Sequence, residues 1–202
     1  MKKVVITSKT RMSQGYCVGG YDVSEGKYIR LLTKTGSNQG YDTDFEVGEL
    51  WRLSYKQRQN VTPPHVEDVL VTKQHYIRAV TDLSDYIQRR ITPYCGCITG
   101  LFDSTLGFTS NGGPYINGDK GLPSNSVGFW LIPKELEMVD KGNGRVRYKV
   151  KNESYEMPYV GLQTAVRSIP EGTLVRVSLA RWWSPEPGEF EDRCYVQLSG
   201  WY

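Results

Sequence analysis

Four cations alternate along one short stretch of the sequence, at Arg145, Arg147, Lys149 and Lys151. Residues two apart in a β-strand project from the same face, so a strand here would carry one cationic row, with Val146 and its alternate neighbours facing the core. Such a row can hold the phosphate backbone of a nucleic acid, with an affinity that falls as salt rises. Cations on an exposed edge strand also protect it from aggregation, and the sequence leaves both interpretations open.

Aromatic side chains beside cations form the second candidate set. Tyr28 and Arg30 share one face of a predicted strand, and Arg181 precedes Trp182 and Trp183 just before a turn. One indole is expected in the core, while the other can stack on a base, which contributes about 1–3 kcal/mol per base in single-strand binders. Packing of both indoles beneath the turn at 185–188 is the alternative. The residues we predict to bind nucleic acid are Tyr28, Arg30, Arg145, Arg147, Lys149 and Trp182.

Catalytic motifs are scarce in this sequence. It contains no Walker glycine loop, no Gly-x-Ser-x-Gly elbow and no zinc-deaminase motif. His65 and Glu67 lie two residues apart and could serve acid–base chemistry in an enzyme that acts on nucleotides. Residues 48–71 align without gaps to residues 172–195, and this alignment has Glu189 at the position of His65, so the acidic residues do not require the histidine. We predict no catalytic residue and no cofactor.

The cysteine and charge contents exclude several classes of protein. The four cysteines lack the usual spacing of zinc ligands, and a disulfide framework is not expected in a chain of 202 residues without a secretory signal. No apolar run is long enough to cross a membrane, so we expect a cytoplasmic protein that does not bind membranes. The 25 Lys and Arg against 22 Asp and Glu give a net charge of +3, which permits nucleic-acid binding without requiring it.

The elements that must position these residues are mostly strands. Apolar and polar residues alternate with period two between clusters of turn residues, which predicts a mostly β fold. The clearest helix is 83–90, with Asp82 as its cap. The segment 103–128 holds six glycines and is predicted to be a long irregular insertion. The predicted strands are 4–7, 16–21, 27–33, 50–57, 66–72, 145–150, 172–180 and 194–199.

An internal repeat gives the domain organisation. Residues 48–71 align without gaps to residues 172–195, with seven identities in 24 positions. The best-matched part is GELWRLS at 48–54 against GTLVRVS at 172–178, and further downstream Pro63 aligns with Pro187. One offset that holds over both parts indicates either a duplication or two similar strand–turn–strand units. We predict two units, 1–90 and 91–202, each the size of a small β-barrel.

The same repeat predicts structural ion pairs. Arg52 and Arg176 occupy equivalent positions, and each repeat also has an acidic pair, Glu67-Asp68 or Glu191-Asp192. Each acidic pair is expected to reach the arginine of its own repeat across neighbouring strands. We therefore leave both arginines out of the predicted binding site.

Five short stretches stand out, and they are CVGGYD at 17–22, GKYIRLL at 26–32, PHVED at 64–68, VSLA at 177–180 and CYVQLSGWY at 194–202. Together they resemble the prokaryotic dual OB-containing domain family. The resemblance implies two tandem OB-like barrels and a part in nucleic-acid recognition, often in prokaryotic defence or conflict systems. It supplies no catalytic residues.

Together, the residues and the resemblance predict two OB-like barrels joined by a short helix, with the glycine-rich insertion in the second. The predicted function is non-enzymatic binding of nucleic acid, preferably single-stranded, because an OB barrel offers a strand face suited to aromatic stacking and backbone cations. An adaptor subunit is the alternative, since Tyr, Trp and Arg are also the residues that dominate protein interfaces. A protein partner therefore remains open.

Overall fold

The chain divides into two units, residues 1–92 and 93–202, in a computed structural model. The structure describes residues 1–142, 144–186, 188–189 and 191–202. Pro187, which the repeat aligns with Pro63, lies outside the described residues.

The first unit is a closed five-stranded barrel. Its strands follow the order β1-β2-β3-β5-β4 around the barrel, and β3 and β5 are parallel while the other neighbours are antiparallel. This is the small Greek-key barrel of an OB fold. The strands are β1 (Lys2–Arg11), β2 (Tyr16–Asp22), β3 (Lys27–Leu32), β4 (Glu49–Gln57) and β5 (Asp68–Ala79).

Alternate side chains along the strands point into the barrel and fill its interior. On β4, Trp51 and Leu53 lie in the core, while Arg52 between them is exposed. On β3, Ile29 and Leu31 are buried in the same cluster. Because successive side chains point to opposite faces, Tyr28, Arg30 and Arg52 must project from the outside of the barrel.

The short helix α1 (Leu83–Gln88) packs against the outside of the first barrel. Asp82 caps it, since its carboxylate accepts a hydrogen bond from the backbone N–H of Asp85 at 2.8 Å. Its apolar side chains join a second cluster formed by outward-facing residues of the barrel, among them Val5 and Leu50. Nowhere in the described part of the chain does a helix have the length and apolar character needed to span a bilayer.

The strands of the second unit form two sheets, in the orders β11-β10-β9-β12 and β6-β7-β14-β13-β8. Their neighbours correspond to those of the first barrel. The consecutive strands β8 and β9 stand in the place of β1, and the places of β2, β3, β4 and β5 are taken by β10, β11, β13 and β14. A parallel bridge between Tyr159 and Leu198 joins the end of β11 to β14, as β3 joins β5. The strands are β6 (Gly107–Phe108), β7 (Pro114–Ile116), β8 (Val127–Leu131), β9 (Leu136–Asp140), β10 (Val146–Val150), β11 (Glu156–Pro158), β12 (Ser168–Ile169), β13 (Leu174–Leu179) and β14 (Cys194–Trp201).

The glycine-rich segment 103–128 is not wholly irregular. It contains the hairpin β6–β7, and β7 pairs with β14 through Cys194–Ile116 and Tyr195–Tyr115. The hairpin therefore extends the sheet beyond the barrel strands. The prediction of an insertion without elements is wrong here, because strands of two and three residues leave no periodic signal.

The repeat occupies equivalent places in the two units. Residues 48–54 lead into and form β4, and residues 172–178 lead into and form β13. Both repeats begin with a glycine at positive φ, 88° for Gly48 and 79° for Gly172. The backbone N–H of Gly48 donates to Ile6 O at 2.9 Å, and that of Gly172 donates to Ile132 O at the same distance. The two stretches are thus one supersecondary unit used twice.

Candidate functional site

Tyr28 and Arg30 lie on the outer face of β3, in the first unit. Tyr28 is half-buried and meets Tyr21 edge-on, with ring centroids 5.7 Å apart. Both rings belong to the cluster that α1 covers. The β2–β3 face is where OB barrels bind oligonucleotides, and Tyr28 stands at the covered part of it.

The Arg30 guanidinium is held by Asp68. Its Nε and Nη2 donate to the two carboxylate oxygens at 2.6 and 2.7 Å, and the Arg30 side chain is 20% exposed. Burial opposes the charge on Arg30, but the bonds to Asp68 prevail and raise its pKa. Arg58 reaches the same carboxylate at 3.4 Å. Two arginines therefore share one acid, which leaves this cluster with a net positive charge.

The ion pairs predicted for the repeat are wrong. Asp68 binds Arg30 and Arg58 instead of Arg52, and Glu191 binds Arg193 at 2.5 Å instead of Arg176. The pairing β3–β5 brings Arg30 opposite Asp68, and this contact joins residues 38 positions apart. A local comparison of the repeats could not have found it.

The cationic row of the second unit lies on β10. Tyr148 and Val150 are buried, so Arg147 and Lys149 face outward. Arg147 Nε lies 2.6 Å from a carboxylate oxygen of Glu156 on β11, and Lys149 stands opposite Glu137 on β9. Carboxylates therefore interleave with this row and reduce its positive potential.

The two ends of the row differ. Lys151 pairs with Glu135 at 2.7 Å. Arg145 is exposed, and the structure shows no ion pair for it among the described residues. Arg145 thus retains the most accessible uncompensated charge of the predicted row.

The two adjacent indoles have different environments. Trp182 is partly buried against the core of the second unit, whereas Trp183 is 56% exposed. The stacking role predicted for Trp182 stays a prediction. Trp183 is the indole whose ring is more accessible to a ligand. Alternation could not separate the two, because both follow the end of β13.

Trp183 belongs to a group of aromatic rings on β7 and β14. Its ring centroid lies 6.4 Å from that of Tyr195, which lies 6.0 Å from that of Tyr115. The Arg193 guanidinium covers the Tyr115 ring at 4.1 Å, a cation–π contact. We call Trp183, Tyr195, Tyr115 and Arg193 the aromatic platform.

Backbone pairing fixes the platform. Trp183 N donates to Arg193 O at 3.0 Å, and Arg193 N donates to Trp183 O at 2.9 Å. Glu191 limits the charge, since hydrogen bonds from Asn117 and Arg193 lower the pKa of this carboxyl and keep it ionised. Backbone hydrogen bonds therefore hold Trp183 beside Arg193, and Glu191 compensates the charge of Arg193.

The acid–base candidates are inside the first unit. His65 is 4% exposed and Glu67 is 5% exposed, so both side chains are buried. Across the described ranges, no three His, Cys, Asp or Glu side chains are grouped so that they could hold a metal ion.

These observations define a protein of two OB-like barrels in tandem, each with charged and aromatic side chains on its outer face. The model of the dual OB-containing domain family matches residues 2–201, and the chain belongs to that family. Among solved structures it is similar to the p204 HINb domain, with 15% sequence identity, a TM-score of 0.34 and coverage of 98% of this chain and 95% of that one. No curated protein matches the chain.

Proposed function

We propose that this protein is a non-enzymatic binder of single-stranded nucleic acid. The observation that carries the proposal is the aromatic platform, which presents a mostly exposed indole beside two tyrosine rings and a guanidinium. Bases of any sequence have a flat face that can stack on such rings, which is how sequence-tolerant single-strand binders hold their ligands.

The residues predicted from the sequence keep supporting roles. Tyr28 and Arg30 lie on the β2–β3 side of the first barrel, the side that OB folds use for oligonucleotides. Of the β10 row, Arg145 and Lys149 are the exposed cations and would contact phosphates, whereas Arg147 has a carboxylate partner. A setting in a prokaryotic defence or conflict system is part of the proposal and is supported only by the family resemblance.

The test is fluorescence anisotropy with a labelled 20-mer of oligothymidylate, titrated with the full chain at low salt. Trp183→Ala should weaken binding about 5- to 150-fold, which corresponds to the loss of about 1–3 kcal/mol for one stacked base. Tyr41→Ala is the matched control, since Tyr41 is an equally exposed aromatic residue, at 62%, outside the platform. It should bind like the wild type.

Two outcomes would overturn the proposal. If the wild-type protein does not bind the oligonucleotide at low salt, single-strand binding is wrong, and the adaptor function becomes the better explanation of the exposed rings. If the wild type binds but Trp183→Ala and Tyr41→Ala bind equally well, the aromatic platform is not the stacking site.

A further inference from the structure

The outer face of the first barrel carries a second charged surface that the binding-site prediction does not include. Its members lie on the neighbouring strands β1, β4 and β5, and all of them are exposed. We call this set the basic face; it consists of Lys3, Arg52, Lys56, Lys73 and His75.

Strand register places these side chains together. Lys3 stands opposite Arg52 across the β1–β4 pair, and Arg52 stands opposite His75 across the β4–β5 pair. Residues directly opposite in antiparallel strands share a face, with their Cβ atoms about 4.5–5.5 Å apart. The three side chains therefore form one row across three strands.

The two remaining lysines continue the surface along the strands. Lys73 lies opposite Ser54, two residues beyond Arg52 on β4, and Lys56 follows Ser54 by two more. With two strand spacings across and four residues along, the basic face measures about 10 by 13 Å. It can thus touch more than one phosphate of an extended strand.

Among the residues that the structure describes, the cations of this surface lack acidic partners. In the described part of the chain, no carboxylate oxygen lies within 4.0 Å of the charged nitrogens of Lys3, Arg52, Lys56 or Lys73. The β10 row differs, because carboxylates lie 2.6 Å from Arg147 there. Like charges directly opposite on neighbouring strands destabilise a sheet, so an arrangement without acids has an energetic cost that a purely structural surface would avoid.

Protection of a sheet edge does not explain the charges either. Cations guard strands whose backbone groups are unpaired. Arg52 and Lys56 lie on β4, which hydrogen-bonds to β1 on one side and to β5 on the other. This strand has no free edge to protect at Arg52.

We propose that the basic face binds the phosphate backbone of a nucleic acid, as a contact separate from base stacking on the aromatic platform. This inference rests on the proposed function for the identity of the ligand. The inference adds that the first unit makes its own contacts with phosphates. Substitutions in the basic face should therefore reduce the salt dependence of binding, while Trp183→Ala should reduce the contribution of stacking.

The test compares two triple variants of the full chain with the same change in net charge. The first is Lys3→Gln, Arg52→Gln and Lys73→Gln. The control is Arg89→Gln, Lys134→Gln and Lys141→Gln, three exposed cations outside both predicted phosphate-binding surfaces that each have a carboxylate partner. The measurement is the affinity for the oligothymidylate 20-mer between 50 and 200 mM salt, with thermal unfolding followed by circular dichroism to verify that both variants fold.

The plot of log affinity against log salt has a negative slope, to which each phosphate contact with a single strand contributes about −0.7. Loss of three contacts should therefore make the slope less negative by about 2. Over the fourfold rise in salt, wild-type affinity should fall about 20 times more than that of the first variant. The control should keep the wild-type slope, and so should Trp183→Ala, although its affinity is lower.

The failures of the two proposals are distinguishable. If the wild type binds and the first variant has the slope of the control, the basic face is not a phosphate site, while single-strand binding stands. If the first variant loses binding only to vesicles that contain phosphatidylserine and keeps its affinity for the oligonucleotide, the surface recognises a lipid and the inference is wrong. If the wild type does not bind the oligonucleotide at all, the proposed function fails first.

Discussion

The bidentate ion pair between Arg30 and Asp68 is expected to stabilise the first barrel, and substitution of Asp68 tests this directly. Asp68→Asn keeps the shape of the side chain but removes the charge from the acid that serves both Arg30 and Arg58. The backbone bonds at this position, where Asp68 O accepts from Gln57 Nε2 and Arg58 N, do not depend on the carboxylate. The substitution therefore removes the ion pair and leaves these two backbone bonds in place.

The expected loss in the free energy of unfolding follows from the burial of the pair. Removing one partner of a fully buried pair costs about 3–5 kcal/mol. The Asp68 side chain is 5% exposed, but the Arg30 side chain is 20% exposed, so water partly compensates the arginine. We expect Asp68→Asn to lose about 2–3 kcal/mol, which lies between the buried value and the value of up to about 1 kcal/mol for exposed pairs.

Urea unfolding followed by tryptophan fluorescence measures this loss, because Trp51 lies in the core of the first barrel. The control is Asp85→Asn, which removes the same charge from the exposed pair with Arg89 and should cost at most about 0.5 kcal/mol. The same Asp68→Asn protein should bind oligothymidylate more tightly, because a competing carboxylate has left Arg30. A loss no larger than that of the control would refute the argument that this pair stabilises the barrel.

Three further predictions concern the second unit, the first with a control in the first unit. Arg176→Gln should lower stability by about 1–3 kcal/mol in urea unfolding, because Arg176 is 6% exposed and donates to Ser199 Oγ at 2.9 Å, whereas Arg52→Gln should change it by less than about 0.5 kcal/mol. Burial raises the pKa of the Cys194 thiol to about 12 from 9.0, so stability should be complete below pH 9 and decrease as the pH rises toward 12. At pH 8 a thiol reagent should modify the exposed Cys95 at once and Cys194 only after unfolding, and early modification of Cys194 would contradict its burial.

Much of the fold follows from patterns that local sequence retains. Period-two alternation on β4 and β13 assigns their buried faces, because each strand has one side in a core. The offset between the two repeats predicts two similar units, and each repeat starts with a glycine at a positive φ that residues with a side chain rarely adopt. These features depend on residues close together in the chain, which is why they are predictable.

The partners of the charged side chains depend on long-range pairing and are not predictable in this way. Asp68 meets Arg30 only because β5 runs parallel to β3. In the same manner, the Glu156 that compensates Arg147 comes from the adjacent strand β11. Trp182 and Trp183 follow the end of β13, where alternation no longer assigns a face. The sequence therefore does not indicate that Trp183 is the exposed indole.

The repeated strand presents a different surface in each of the two units. Arg52 and Arg176 hold the same position in the repeat, yet Arg52 is exposed and Arg176 is buried. Their neighbours explain the difference, since Arg52 lies opposite Lys3 and His75, whereas Arg176 lies opposite Phe129. An arginine among basic residues repels them and is available to an anion, while an arginine beside an aromatic ring in a covered sheet serves packing. The first barrel is therefore the copy suited to charge contacts, and the exposed aromatic rings of the second suit it to stacking.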